Sequence, residues 1–196
     1  MSSSDWKSAD VPTGDRATLE VQEILFTAEQ IRERVRELAA EISRDYAGRP
    51  VHLVVVLRGA AVFAADLIRE LSVPASVDYI AISSYRSGRQ SSGTVRIIKD
   101  LEDNIESQYV IVVEDIIDTG LTLNYLSDLL RGRKVASLEV CALLDKPSAR
   151  KAPAQAKYVG FTVPEAFVVG YGLDFDQQYR GLPYIATLRP DAEPGS

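Results

Sequence analysis

The chain has 196 residues, 46% of them hydrophobic and 26% charged, and a formal net charge of −6. That length and composition fit one large domain and exclude intrinsic disorder for the bulk of the chain, while the acid excess argues against broad nucleic-acid binding. A single cysteine, Cys141, excludes an internal disulfide and a cysteine-built zinc site; a single histidine, His52, excludes paired-histidine metal motifs. No apolar run approaches the roughly 18 residues of a membrane-spanning helix, so no membrane partner is expected. The segment Met1–Trp6 has no apolar core following a positive charge and does not read as a secretion signal, so the cytoplasm is the expected location.

Residues 1–18 are polar and read as a loose N-terminal arm, residues 19–189 as the domain, and 190–196 as a frayed tail. Thr27 followed by Gln30 has the capping-box pattern, and Ile31, Val35, Leu38, Ala39 and Ile42 then recur at helical spacing up to a stop near Gly48 and Pro50. Val51–Leu57 is a continuous apolar run suited to a strand buried on both faces. Ala60–Leu71 carries a helical stripe, and Val77–Ser83 reads as a second strand. A polar stretch rich in serine and glycine follows to Gly93, and Thr94–Ile98 reads as a returning strand. Tyr109–Val113 is another buried strand, then come a polar turn, a helix from Thr122 to about Leu130, a strand at Ser137–Leu144, and a short apolar piece at Phe167–Gly170. Alternating strands and helices predict an α/β fold with a mostly parallel central sheet, whose ligands bind at the carboxyl ends of the strands.

The most informative such end is Glu114-Asp115-Ile116-Ile117-Asp118-Thr119-Gly120-Leu121-Thr122. Its second half is an anion cradle. The first N–H groups of a helix lack internal partners, the helix dipole favours negative charge there, and Gly120 permits a tight turn. Its first half offers two adjacent carboxylates that point to opposite sides of an extended chain and can accept from sugar hydroxyls or approach a metal. Acceptors beside a phosphate cradle suit a sugar phosphate. A mere helix cap needs one acceptor, not three, and no lysine follows the glycine as a nucleoside-triphosphate loop requires. After Leu57, Arg58-Gly59-Ala60 offers a second anion site or a solvated arginine.

The thirteen residues Val110–Thr122 resemble the phosphoribosyl diphosphate signature of type I phosphoribosyltransferases. The likeness implies a central, mostly parallel sheet flanked by helices, a flexible lid loop at about 84–95, and a small base-binding hood. It implies magnesium as cofactor, with Glu114, Asp115 and Asp174 toward the metal. Glu114, Asp115, Asp118, Thr119, Gly120, Leu121 and Thr122 would bind phosphoribosyl diphosphate. Arg58, Gly59 and Arg180 would bind its pyrophosphate, with Leu57-Arg58 often a cis peptide in this family. Several purine enzymes of this family have lysine where Arg58 stands. Ser84 and Tyr85 match the start of the lid, which keeps water from an activated sugar cation.

Phe167-Val168-Val169-Gly170-Tyr171-Gly172-Leu173-Asp174 resembles the nucleobase segment of hypoxanthine-guanine phosphoribosyltransferases. Phe167 would stack on the purine, main-chain groups of Val168 would read its edge, and Lys146 would donate to a 6-oxo oxygen, which discriminates against adenine. The resemblance makes Asp118 the catalytic residue, accepting a hydrogen bond or proton from purine nitrogen 7, and implies a homodimer or homotetramer. His52 and Cys141 read as structural. Open alternatives are a sister enzyme for another base, xanthine first, a regulatory RNA- or nucleotide-binding protein on the same fold, and a phosphosugar-binding domain without catalysis.

Overall fold

The computed structural model describes residues 21–84 and 95–188. The arm at 1–18, the tail at 190–196 and most of the lid at 84–95 therefore lie outside the described residues. The main sheet has six strands in the order β4-β3-β2-β5-β6-β7. These are β2 (Val51–Leu57), β3 (Ala75–Ser84), β4 (Val95–Lys99), β5 (Tyr109–Ile117), β6 (Ser137–Asp145) and β7 (Tyr158–Thr162). All neighbours pair in parallel except β4, which returns antiparallel along β3.

Three helices cover this sheet: α1 (Ala28–Asp45), α2 (Ala60–Glu70) and α3 (Leu121–Arg131). Thr27 and Gln30 form the anticipated reciprocal capping box at the start of α1. Alternation along β2 sends Leu53 and Val55 into a core with the stripes of α1 and α2, and Val54 and Val56 into a core with Leu123, Leu126 and Leu130 of α3. Each fully buried valine or leucine contributes about 1.5–3 kcal/mol, which is why β2 has no polar face to spare.

A second, antiparallel sheet joins β1 (Val21–Phe26), β9 (Ile185–Leu188) and β8 (Val168–Val169) in that order. It packs Val168 and Ile185 into the core shared with α1 and α2. Neither β1, β7 nor β9 is evident from the hydrophobic pattern. β5 also continues to Ile117, four residues beyond its anticipated end, because Glu114, Ile116 and Ile117 keep their register with β6. The two acids, expected in extended backbone at a strand end, therefore lie within the strand itself. No helix among the described residues is long and apolar enough to cross a membrane.

Candidate active site

The carboxyl ends of β2, β5 and β6 lie side by side, and the chain direction of the crossovers reverses between β2 and β5. That is the crevice where open α/β sheets place ligands. Glu114 is buried and Asp115 half-buried there. Burial, followed by the charge of Asp115, pushes the Glu114 carboxyl well above its usual range. Burial also pushes Asp115 up to about 6, opposed by backbone N–H donors and Arg180 and reinforced by Asp174. Two carboxylates so placed favour a cation or donated hydroxyls beside them.

Beyond them, Asp118 is exposed, Thr119 half-buried and Gly120 buried. Gly120 has φ +81° and stands directly before α3. An added Cβ would lie 2.7 Å from Ala154 Cβ and 2.8 Å from the Ala152 carbonyl oxygen, so only glycine fits. Leu121 N–H donates to Thr119 Oγ1 at 3.4 Å. Val56, Ile82, Glu114–Gly120, Thr122 and Leu123 line a cavity of about 210 Å³. The turn is fixed from behind by a residue the sequence did not single out: Arg150 Nη1 donates to the carbonyls of Ile117 (2.9 Å) and Asp118 (2.6 Å), while its Nη2 pairs with Asp145. No motif spacing links Arg150 to a turn some thirty residues upstream.

At the end of β2, the Leu57-Arg58 peptide is cis, as the resemblance implied. Arg58 Nη1 donates to Gln177 Oε1 at 2.8 Å, and Gly59 lies against the Asp115 carboxylate. Arg180 pairs with Asp174 at 2.7 Å and donates to the Gly172 carbonyl at 2.6 Å. At the end of β6, Lys146 Nζ donates to the Ala166 carbonyl at 3.0 Å, and its N–H donates to the Ile117 carbonyl, also at 3.0 Å. Phe167 remains 42% exposed, held edge-on by Phe175 at 5.4 Å between ring centroids; a core residue would not leave that face open. Val168 is buried in β8. Ser84 ends β3, and Tyr85 lies outside the described residues.

Glu114, Asp115 and Asp174 do not form one three-ligand cluster. Among the described residues that arrangement occurs at the opposite end of the sheet, where ligand atoms of His52, Asp78 and Asp103 lie within 4.8 Å of one another. There His52 is buried with Nδ1 2.8 Å from Ser76 Oγ, and Asp78 accepts N–H groups from Tyr79, Glu102 and Asp103. Asp78 thus ties down the segment after β4. Cys141 is fully buried, and its thiol is pushed far upward by that burial.

Residues 21–176 match the phosphoribosyl transferase domain. The chain is 48% identical over 172 residues to a hypoxanthine-guanine phosphoribosyltransferase of Staphylococcus aureus, covering 88% of this chain and 96% of that one. It is 47% identical over 171 residues to the Bacillus subtilis protein of the same name, covering 87% and 95%. Among solved structures, a hypoxanthine phosphoribosyltransferase from Staphylococcus aureus superposes with a TM-score of 0.85 at 47% identity, over 89% of this chain and 95% of that one. The Trypanosoma cruzi enzyme, solved with the product IMP, superposes with a TM-score of 0.83 at 45% identity, over 88% and 97%. The likeness extends over most of the chain in both sequence and fold, and the chain belongs to the phosphoribosyltransferase family, among its hypoxanthine-guanine members.

Proposed function

We propose that the chain transfers the 5-phosphoribosyl group from phosphoribosyl diphosphate to a 6-oxopurine, hypoxanthine and/or guanine, giving IMP or GMP and pyrophosphate in a magnesium-dependent step of purine salvage. The observation that carries this reading is the 210 Å³ cavity at the end of β5, where a helix N-terminus at Gly120 adjoins the carboxyls of buried Glu114 and half-buried Asp115. The strand beside it, β6, ends at Asp145, one residue before Lys146.

The 5-phosphate accepts hydrogen bonds from the N–H groups of the Thr119–Thr122 turn and from threonine hydroxyls. The ribose hydroxyls donate to Glu114 and Asp115. The diphosphate lies against the Gly59 loop between Arg58 and Arg180. The purine stacks on the open face of Phe167, its edge is read by the main chain of Val168, and Lys146 exchanges the Ala166 carbonyl for the 6-oxo oxygen. Nitrogen 9 bonds to the anomeric carbon as the bond from that carbon to the diphosphate oxygen breaks. The proton on nitrogen 7 passes to Asp118, whose exposed carboxylate can release it to water. Carboxylates near the ring stabilise its transient positive charge, and the arginines stabilise charge on the leaving group. Glu114, Asp115 and Asp174 do not by themselves form one three-ligand cluster, so magnesium would be held by these carboxylates together with oxygens of the bound substrate, and it would neutralise the diphosphate.

The same proposal includes a cytoplasmic location and assembly as a homodimer or homotetramer, with no nucleic-acid partner. A spectrophotometric assay with phosphoribosyl diphosphate, magnesium and each of hypoxanthine, guanine, xanthine and adenine tests the reading. Turnover of hypoxanthine or guanine is expected. Asp118→Asn should lower kcat by about 10²- to 10⁴-fold, the usual weight of a general base. Tight binding of phosphoribosyl diphosphate without turnover of any base would overturn the enzyme reading.

A further inference from the structure

The turn at residues 170–172 connects the base side of the crevice to the pyrophosphate side. Gly170, Tyr171 and Gly172 all have positive φ, at 98°, 48° and 101°. Left-handed backbone is routine for glycine but unfavourable for tyrosine, and persists only where surrounding contacts hold it. Two sets of contacts hold it. The N–H groups of Gly170, Tyr171 and Gly172 donate to the carbonyls of Leu173, Leu182 and Arg180 at 3.0, 2.8 and 2.9 Å. The Tyr171 hydroxyl, from a ring 7% exposed, donates to Asp66 Oδ2 at 2.5 Å.

Asp66 lies on α2, the helix that begins immediately after Gly59. Gly172 in turn presses on Gly59: an added Cβ would lie 2.1 Å from the Gly59 carbonyl oxygen. The other side of Gly59 is closed by Asp115, since a Cβ there would lie 1.5 Å from Asp115 Oδ2. Tyr171 packs into the core shared with α1 and α2, while a cavity of about 410 Å³ opens between α1, α2 and residues 180–183, with Tyr171 and Asp66 in its wall. The bond from the Tyr171 hydroxyl to Asp66 adds a directional tie between this packed turn and α2, and so helps to set how the turn stands against Gly59.

We propose that Tyr171 and Asp66 are positioning residues that clamp the purine turn onto the Leu57–Gly59 loop, so that the grip on pyrophosphate is set by a hydrogen bond outside the crevice. The proposal rests on the function proposed above. Tyr171 touches no reacting atom; it acts through Gly172 and Gly59.

Tyr171→Phe removes only the hydroxyl, and Asp66→Asn keeps an acceptor oxygen for it. Steady-state kinetics on the full chain, direct titration with inorganic pyrophosphate, and thermal melting should be measured for both. For Tyr171→Phe the KM for phosphoribosyl diphosphate and the Kd for pyrophosphate should rise about five- to tenfold, with kcat and the KM for hypoxanthine within about threefold of the parent. Asp66→Asn should stay close to the parent in both pyrophosphate measures. A lowered melting temperature in Tyr171→Phe with unchanged pyrophosphate affinity would overturn the proposal in favour of a purely structural bond, as would equal losses for both substrates. Failure of the underlying function is distinguishable, because the parent chain itself would then show no turnover.

Discussion

The two sides of the crevice, the one proposed to hold phosphate and the one proposed to hold the base, are built by different means. The phosphate side is one continuous segment, Glu114–Thr122, running from the end of β5 into α3 and packed between the main sheet and the 150–154 segment. The base side is assembled from Lys146 just after β6, Phe167 and Val168 at the small sheet, and the segment at 170–182, whose turn is joined to α2 by the Tyr171–Asp66 hydrogen bond beside a cavity. A site made from one segment inherits the rigidity of its strand and helix. A site made from several pieces has to be held together by contacts between them. The first kind should fail on backbone substitutions, the second on loss of individual side-chain partners.

The sharpest way to break this contrast is Gly120→Ala. The new side chain meets a left-handed φ that costs about 1–2 kcal/mol and backbone oxygen 2.8 Å away. The KM for phosphoribosyl diphosphate should rise at least about tenfold, while that for hypoxanthine stays nearly constant; equal effects on both substrates would show that the two sides are one mechanical unit. Lys146→Met probes the other side. Losing one charge-assisted hydrogen bond, about 1.5–3 kcal/mol, should raise the KM for hypoxanthine by about ten- to a hundredfold and leave that for phosphoribosyl diphosphate within about threefold. Titrating each substrate at saturating levels of the other reads both effects.

The smallest effect is expected outside both regions, at His52. Burial holds its imidazole below the usual range, against the opposing charges of Asp78 and Asp103. An unfolded chain therefore takes up the proton first as pH falls below about 6.5, so the native state loses stability through that window. His52→Leu should flatten the fall in melting temperature between about pH 7 and 5 and leave kinetics at neutral pH unchanged. The carboxyl of Asp78 acts in a lower window. Burial alone would raise it, but N–H donors from Asp103, Tyr79 and Glu102, with Lys99 nearby, outweigh this and hold it below its usual range. Its stabilisation is lost only as pH falls further. A melting profile of the variant as steep as the parent's between pH 7 and 5 would show that His52 does not titrate there.

The contrast also explains what could be read from the chain. The central strands and all three helices were legible because Val51–Leu57 and the stripes of α1, α2 and α3 carry clear periodicity. The phosphate side was legible because its chemistry is contiguous. β1, β7 and β9 were not: Val21–Phe26 puts one polar residue on each face and so shows no clean alternation, and Ile185–Leu188 spans only four residues, so their pairing is decided by partners far along the chain. Arg150 was missed for the same reason, as were the roles of Gly172 and Asp66. Each acts on a residue brought close only by the fold, and a lone arginine, glycine or aspartate carries no local signature.

One register has a wider consequence. Ile117 pairs with Asp145, so the last residue before Asp118 sits beside the last residue before Lys146. Neighbouring strands stand about 4.8 Å apart, a spacing set by backbone hydrogen bonds that no side chain can alter. The sheet therefore works as a gauge block: it fixes the backbone interval between the turn proposed to grip phosphate and the lysine proposed to grip the base. On the proposed function, a substitution in either loop changes how firmly a nucleotide is held and leaves that interval, written into the strand spacing, unchanged.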